Sequence, residues 1–214
     1  MNKIESYIYG LLITDGSLYL TTRNRGKVTL EVSEKDEDII QKLYNVIPNS
    51  GIHERVRNTN FKNNYKTKIF TNHRKEFRDK LISFGFPKSD KTQNASIPKV
   101  EYDEYSFWRG VIDGDGSIGF TKSKNCEPFI SLVTKSESLK EEFLKFLNRE
   151  LNINKKVNRN KRDKVYNITI KNEDAVGLAK KLYLDLENDL YINRKYTKAV
   201  EIQNWKRTVP KRTK

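Results

Sequence analysis

The sequence predicts an α+β protein made of two pseudo-symmetric copies of one unit, each with the element order α-β-β-α-β-β-α. The first observation is a repeated motif, because Tyr-Gly-Leu-Leu-Ile-Thr-Asp-Gly at 9–16 returns as Arg-Gly-Val-Ile-Asp-Gly-Asp-Gly at 109–116, offset by 100 residues. The second is that apolar and polar residues alternate after each copy, as they do in half-buried strands. The third is a Pro-containing polar stretch midway along the chain. Together they indicate an internal duplication.

The first unit is expected to contain helices at 4–15, about 36–47 and 75–84, and strands at 17–23, 27–33, 52–57 and 65–71. Apolar residues in its second strand, Val28, Leu30 and Val32, alternate with polar ones and are predicted to face inward. A turn at 24–26 and an Asn-rich loop at 58–64 are expected to join the strands into two hairpins.

The second unit repeats this order, with helices at 102–115, about 137–147, 173–183 and 194–207, and strands at 117–122, 128–134, 155–159 and 165–170. In its last strand the alternation predicts that Ile168 and Ile170 face inward with Tyr166. The strand at 128–134 leaves two alternatives, because either Phe129 and Val133 or Ile130 and Leu132 could face inward. Residues 209–214 are expected to be frayed.

The domain boundaries follow from the linker. Residues 85–100 are mostly polar, with Pro87 and Pro98 among them, and such a composition is typical of a connection between units. We therefore predict a first repeat at 1–86, a linker at 87–101, and a second repeat at 102–214 that includes a C-terminal helix.

Each motif copy reads as an apolar helix that stops at an acidic residue followed by glycine. Gly16 and Gly116 are expected to adopt the left-handed conformation that often ends a helix. Small residues four apart lie on one face of each helix, where they permit close approach: Gly10 and Thr14 in the first, Gly110 and Gly114 in the second.

Two such helices packed face to face would bring their C-terminal ends together. Asp15 and Asp115 would then lie side by side, which the helix dipole and their mutual repulsion both disfavour. This arrangement suggests a bound cation. A single Asp-Gly after an apolar run is usually a turn, but two copies in matching context favour a functional pair.

These residues resemble the LAGLIDADG homing endonuclease family, whose motif aligns with 8–16 and 108–116. The second copy is the closer match, and the first has Ile13 where the second has Asp113. The resemblance covers nearly the whole chain and is to the single-chain type with two repeats. It implies motif helices packed at the centre, and two antiparallel four-stranded sheets that form a saddle for DNA.

The resemblance also implies a function, a metal-dependent endonuclease that cleaves a long asymmetric site in double-stranded DNA. Asp15 and Asp115 would be the catalytic acids and would hold Mg²⁺ together with Thr14 and Gly114, and Mn²⁺ or Ca²⁺ could substitute in binding. The family also places basic residues near the phosphates, which suggests Lys91 and Lys195 as catalytic, with Lys88 as a rival to Lys91.

Composition supports a polyanionic partner independently. Lys and Arg number 42 against 28 Asp and Glu, a formal charge of +14, which favours nucleic acid. Outward strand positions and nearby basic residues are the expected DNA contacts. They are Tyr19, Thr21, Arg23, Lys27, Thr29, His53, Arg55, Arg57, Lys66, Lys68, Lys122, Lys156, Asn158, Asn167, Thr169 and Lys171.

Two alternatives remain on the same fold, an RNA-binding intron maturase and a non-catalytic DNA-binding regulator. The paired carboxylates argue against the second. The gene could lie in an intron or intein or stand free.

A single cysteine, Cys126, excludes a disulfide framework and makes structural zinc improbable. No apolar run reaches the roughly 20 residues of a membrane span, so we expect a soluble, intracellular protein. We also expect a monomer, because the two repeats supply the pseudo-twofold interface within one chain.

Overall fold

A computed structural model describes residues 1–58, 63–122, 126–184, 186 and 189–207. The helices are α1 Lys3–Thr14, α2 Asp38–Val46, α3 Lys75–Ser83, α4 Lys91–Asn94, α5 Glu104–Asp115, α6 Glu137–Leu151, α7 Asn172–Tyr183 and α8 Asn193–Gln203. The strands are β1 Gly16–Leu20, β2 Gly26–Ser33, β3 Ser50–Arg57, β4 Tyr65–Asn72, β5 Gly116–Phe120, β6 Pro128–Thr134 and β7 Tyr166–Lys171. Part of the Asn-rich loop and the residues expected to fray, 209–214, lie outside the described residues.

The motif helices α1 and α5 pack directly against each other through their glycines. A methyl group at Gly10 would lie 2.2 Å from the carbonyl oxygen of Phe107, and one at Gly110 would lie 2.3 Å from that of Tyr7. The two backbones therefore touch at a point where no side chain fits. The N-terminus of α1 is fixed by a reciprocal cap, in which Asn2 and Glu5 each bond the other's main-chain NH.

Gly16 and Gly116 are not left-handed as predicted. Gly116 is extended, with φ −90° and ψ 164°, and among the described glycines only Gly85 has a positive φ. Space explains the glycines instead, because a methyl group at Gly116 would lie 2.5 Å from the carbonyl oxygen of Ile112. The chain thus turns from helix into strand within one residue, tightly against the preceding helical turn.

The first sheet has the antiparallel order β1-β2-β4-β3. Val28, Leu30 and Val32 are buried as predicted, and Leu30 is paired with Phe70 of β4 on the same inward face. The first strand is shorter than predicted, because it ends at Leu20. Arg23 lies in a following turn with φ 60°, so Thr21 and Arg23 are not strand residues.

The second sheet has three described strands in the order β5-β6-β7, not the predicted four. Ile130 and Leu132 are buried and Val133 is exposed, which decides between the two alternatives for this strand. Tyr166, Ile168 and Ile170 of β7 are buried as predicted.

The predicted strand at 155–159 is absent from the described sheet. One backbone hydrogen bond, from Asn160 NH to the Val165 carbonyl at 2.8 Å, joins this segment to the start of β7. Lys155, Lys156 and Arg159 form no ion pair within the described residues, and in this segment only Val157 packs on the core. Repulsion and the lack of an apolar face explain why no ladder forms.

The linker contains one feature that the sequence did not predict, the single helical turn α4. None of the helices in the described part of the chain combines the length and apolar character needed to cross a bilayer.

Candidate active site

Asp15 and Asp115 meet where the motif helices end and the sheets begin. Asp15 caps α1, Asp115 is the last residue of α5, and both remain open to solvent. The two helix ends can approach each other closely because the residues before the carboxylates are small. A methyl group at Gly114 would lie 1.9 Å from Thr14 Oγ1 and 3.5 Å from Asp15 Oδ2.

Surrounding protein atoms exclude part of the water from around both carboxylates. This loss of hydration raises the pKa of Asp115 to about 6, and the negative charge of Asp15 adds to the rise. The pKa of Asp15 is also raised by loss of hydration, and the positive charges of Lys195 and Lys91 offset part of that effect. Two ionised carboxylates here are therefore costly without a cation.

An ammonium group caps each motif helix, a buried one at Lys195 and a half-buried one at Lys91. Lys195 Nζ donates to the carbonyl oxygens of Ile112 at 2.8 Å, Asp113 at 2.5 Å, Gly114 at 3.1 Å and Gly116 at 2.8 Å. Lys195 is 5% exposed, and this burial lowers its pKa. A cation at a helix C-terminus offsets the dipole.

Lys91 makes the pseudo-symmetric contacts at the end of α1. Its Nζ donates to the carbonyl oxygens of Thr14, Gly16 and, at 3.4 Å, Leu12. Burial likewise lowers the pKa of Lys91. The two lysines suggested by the family resemblance are thus at the site, but their hydrogen bonds go to helix ends. Lys88 is exposed and not among these caps.

Two recesses flank the carboxylates, and each combines residues of both repeats. One is lined by Asp115 of the second repeat with Thr14 and Lys91. The other is lined by Asp15 of the first repeat with Gly114 and Lys195. Each carboxylate therefore lies in a recess with residues from the other half of the chain, because the C-terminal ends of α1 and α5 adjoin. This gives two similar half-sites.

The donor atoms fit a hard divalent cation such as Mg²⁺, which prefers oxygen ligands and retains water. Two carboxylates lie beside the main-chain carbonyls of Thr14 and Gly114, whose oxygens still have a lone pair after accepting from lysine. In the described residues no group of three or more His, Cys, Asp or Glu could hold a metal. The remaining ligands would have to come from water or substrate.

The solvent face of the first sheet carries part of the predicted DNA-contact set. Strand pairing puts Tyr19 opposite Lys27, and His53, Arg55 and Arg57 lie on that same outward face with Thr29. Lys66 and Lys68 do not. The same register places them on the opposite face, where Lys68 pairs with Glu54 and with Glu37 at 3.7 Å.

The error arose because β4 has no clean alternation. Phe70 enters the core, so residues 66 and 68 share its side of the strand. Their ends extend beyond the buried part of that face and remain in water, which allows a lysine at an inward position.

The solvent face of the second sheet is less basic. Asn167, Thr169 and Lys171 lie on it, opposite Val133, Ser131 and Phe129. The other predicted contacts of this repeat lie off the strands. Lys122 follows β5, while Lys156 and Asn158 belong to the irregular segment before β7; all three are exposed.

Sequence reasoning missed the acidic partners of this surface. Glu31, on the outward face of β2, accepts a hydrogen bond from Arg55 at 2.9 Å and one from Thr67 at 2.7 Å. Arg57 lies 3.6 Å from the same carboxylate. An acidic residue at an outward position between basic strands was the available signal, and Glu31 now explains how the arginines are held.

Sequence reasoning also missed the buried polar residues next to the site. Asp113 is 2% exposed and accepts hydrogen bonds from the hydroxyls of Tyr7 and Tyr183, both at 2.7 Å. Arg109 is buried and bonds the carbonyl oxygen of Leu190 at 2.9 Å. The difference between Ile13 and Asp113 was visible, but nothing in the sequence gave its partners.

The crossed helix pair, the two sheets and the central carboxylates define a two-repeat α+β protein with one composite site. The sequence profile of the LAGLIDADG-like domain family matches residues 2–81 and 104–199, one match in each repeat. Since these ranges make up well over half of the chain, the protein belongs to this family. No curated protein matches its sequence closely enough to count as a relative.

Solved structures share the fold over nearly the whole chain. The homing endonuclease I-WcaI bound to its DNA recognition sequence has 18% identity and a TM-score of 0.63, covering 92% of this chain and 86% of that one. The meganuclease I-SmaMI bound to uncleavable DNA has 13% identity and a TM-score of 0.58, covering 94% and 90%. Full-length DUF199/WhiA from Thermatoga maritima has 14% identity and a TM-score of 0.56, covering 94% and 59%.

Proposed function

We propose that the protein is a site-specific endonuclease that cuts both strands of duplex DNA by metal-dependent hydrolysis. The observation that carries this proposal is the retention of Asp15 and Asp115 at adjoining helix ends. Repulsion and the helix dipoles make such a pair unfavourable, so a protein that only binds DNA would gain nothing from it. Similar folds described as DNA-bound homing endonucleases support the assignment.

In this proposal Asp15 and Asp115 hold Mg²⁺ with the carbonyls of Thr14 and Gly114. Bound Mg²⁺ supplies charge compensation and a more acidic water. The chain's own lysines contribute structure and positive charge. Lys91 and Lys195 fix the helix ends and keep positive charge beside the carboxylates, which favours the approach of a phosphate. Because the N–H groups of both ammonium groups donate to main-chain carbonyl oxygens, neither Lys91 nor Lys195 is free to accept a proton as a base.

The solvent faces of the two sheets are the proposed DNA interface. A two-stranded ribbon fits the major groove, and the outward strand residues would read bases there. Arg55 and Arg57 are the strongest candidates, because arginine bonds guanine with two donors and Glu31 already orients both side chains. Exposed lysines off the strands, such as Lys122 and Lys156, would contact phosphates.

We expect Asp15→Asn and Asp115→Asn to abolish cleavage but preserve binding. The carboxylates would act on the phosphate and its metal, not on bases, so each variant should lose about a thousandfold or more in cutting rate. Duplexes bound in Ca²⁺ would be selected from a randomised library and then cleaved in Mg²⁺ under single-turnover conditions.

The matched control is Asp79→Asn, which removes one surface carboxylate paired with Lys75 at 3.0 Å. It should cut at the normal rate. Normal cutting by both active-site variants would show that the proposed site is wrong, and failure of the unmodified protein to cut any selected duplex would overturn the endonuclease assignment.

A further inference from the structure

The first turn of α8, which carries Lys195 to the end of α5, is held by side chains of the first repeat. Asp36 accepts two hydrogen bonds from the guanidinium of Arg194, each at 2.8 Å. Asp38 accepts the main-chain NH of Asn193 at 2.9 Å. Lys42 lies 3.1 Å from Asp38 and donates to Asn193 Oδ1 at 2.7 Å.

The second repeat contributes Asp113 to the same clamp. Its Oδ2 accepts the main-chain NH of Ile192 at 2.9 Å, three residues before Lys195. Tyr7 and Tyr183 hold the carboxylate from either side. Asp113 is therefore fixed before it fixes the start of α8.

These contacts compensate for an unfavourable helix start. No side chain within α8 caps its N-terminus, and its first turn contains no acidic residue. Arg194 and Lys195 instead place positive charge at the positive end of the helix dipole. Asp38 and Asp113 satisfy free NH groups from outside the helix, as an N-cap would from within, so the position of Lys195 depends on them.

The Lys91 half-site has no equivalent clamp. Ile13 occupies the position that matches Asp113, and its buried side chain accepts no hydrogen bond. Lys91 lies in the single turn α4, and no ion pair joins residues 88–96 to the rest of the described chain. A hydrogen bond from Ser136 Oγ to the Ala95 carbonyl, at 2.5 Å, holds the far end of the segment.

We propose that Asp36, Asp38 and Asp113 are positioning residues for Lys195, and that they hold Lys195 more rigidly than Lys91, so that one half-site is better preorganised than the other. On the proposed endonuclease function, the two DNA strands are then cut in sequence at unequal rates. Charges held in place before reaction stabilise a transition state without a reorganisation cost. The half-site with Asp15 and Lys195 meets this condition more fully than the one with Asp115 and Lys91, whose lysine is carried by the single turn α4 without such a clamp.

The clamp is tested without DNA by the rate at which each lysine is acetylated, followed by peptide mass spectrometry. Since a buried amine reacts only after local opening, Lys195 should react about tenfold more slowly than Lys91. Asp113 is buried, so the variant is Asp38→Ala, which should raise the Lys195 rate about fivefold and leave Lys91 unchanged.

The matched control is Glu137→Ala, because Glu137 is the first residue of α6 as Asp38 is of α2, and it pairs with Lys140 at 3.7 Å. It should leave both rates unchanged. Equal rates for Lys91 and Lys195 in the unmodified protein, or a Lys195 rate unaffected by Asp38→Ala, would overturn the clamp.

The strand order is tested on a selected duplex labelled at both 5′ ends. One strand should be cut about fivefold faster, and Asp38→Ala should slow that strand about tenfold while changing the other less than about twofold. Equal rates, or equal slowing of both strands, would overturn the unequal half-sites. If neither strand of any duplex is cut, the proposed function fails, and the acetylation rates still decide whether the clamp exists.

Discussion

At the scale of single residues, the site combines two carboxylates that repel each other with two ammonium groups whose hydrogen bonds go to main-chain carbonyls. Lys91 and Lys195 donate their hydrogen bonds to the main-chain carbonyls at the ends of α1 and α5. The lysines therefore stabilise the helix ends, and only their charge acts on Asp15 and Asp115. This division leaves the carboxylate oxygens free for a cation.

The raised pKa of Asp115, about 6, predicts a pH-dependent stability cost. A carboxyl whose pKa is higher in the folded than in the unfolded protein takes up protons on folding in that range, so stability falls as pH rises from about 4 to about 6. Above that window Asp115→Asn should therefore be more stable than the unmodified protein. The gain should be on the order of 1 kcal/mol, because the group is solvent-exposed and screened.

The measurement is urea unfolding in a metal chelator at about pH 4 and about pH 7.5, with the free energy of unfolding compared between Asp115→Asn and the unmodified protein. The gain should vanish at the lower pH. Asp79→Asn, with its exposed carboxylate, provides the comparison. A gain that is the same at both pH values would contradict a raised pKa of Asp115 in the folded protein.

Single-residue positions were predicted best where the duplication constrained them. Asp15, Asp115, Gly10 and Gly110 were singled out because each has a partner 100 residues away, and the structure places them at the helix ends and the helix contact. The catalytic role of Asp15 and Asp115 stays a prediction. Lys68 was misplaced because a lysine in an exposed strand position looks the same whichever face it is on. Its true face became clear only from its pairing opposite Glu54.

At the scale of elements, alternation predicted the strands with buried branched residues and failed for the segment with only Val157 to bury. Residues 155–159 contain a single apolar residue, so neither face of the segment can bury a continuous apolar surface and its packing energy is small. The clamp on α8 was also beyond sequence reasoning. Its bonds from Asp36 and Asp38 join residues more than 150 positions apart, and no local pattern marks them.

We expect Gly110→Ala to destabilise the helix pair severely. A methyl group there would lie 2.3 Å from the Tyr7 carbonyl oxygen and 2.8 Å from Leu11 N. Since both are backbone atoms that cannot rotate away, the helices must separate, at a cost of about 3 kcal/mol or more. The measurement is the free energy of unfolding in urea.

The matched control is Gly119→Ala in β5, where the nearest atoms to the added methyl group would be Phe129 ring carbons at 3.6 Å. That is an ordinary contact, so this variant should change stability little. Equal stability of the two alanine variants would contradict direct packing at Gly110.

At the scale of the whole molecule, the two repeats have kept their motif and diverged on their surfaces. The first sheet presents His53, Arg55 and Arg57, with Glu31 balancing part of the charge. The second presents Asn167, Thr169 and Lys171, and the other basic side chains predicted to contact DNA lie off its strands. The helix interface is completed within one chain, so a second copy is not needed to form it.

This divergence predicts an asymmetric DNA target. Two sheets of unlike surface should contact unlike bases, over a site on the order of two helical turns of about 10 bp each. Arg55→Ala should cost about 1–3 kcal/mol of discrimination at one or two positions within one half of the site. Lys68→Ala, on the opposite face of the same sheet, should change binding little on any sequence.

Binding of both variants would be measured across single-base variants of a selected duplex at several salt concentrations. A palindromic preference, or an Arg55→Ala loss that is equal on every sequence, would show that the sheets do not read DNA in this way.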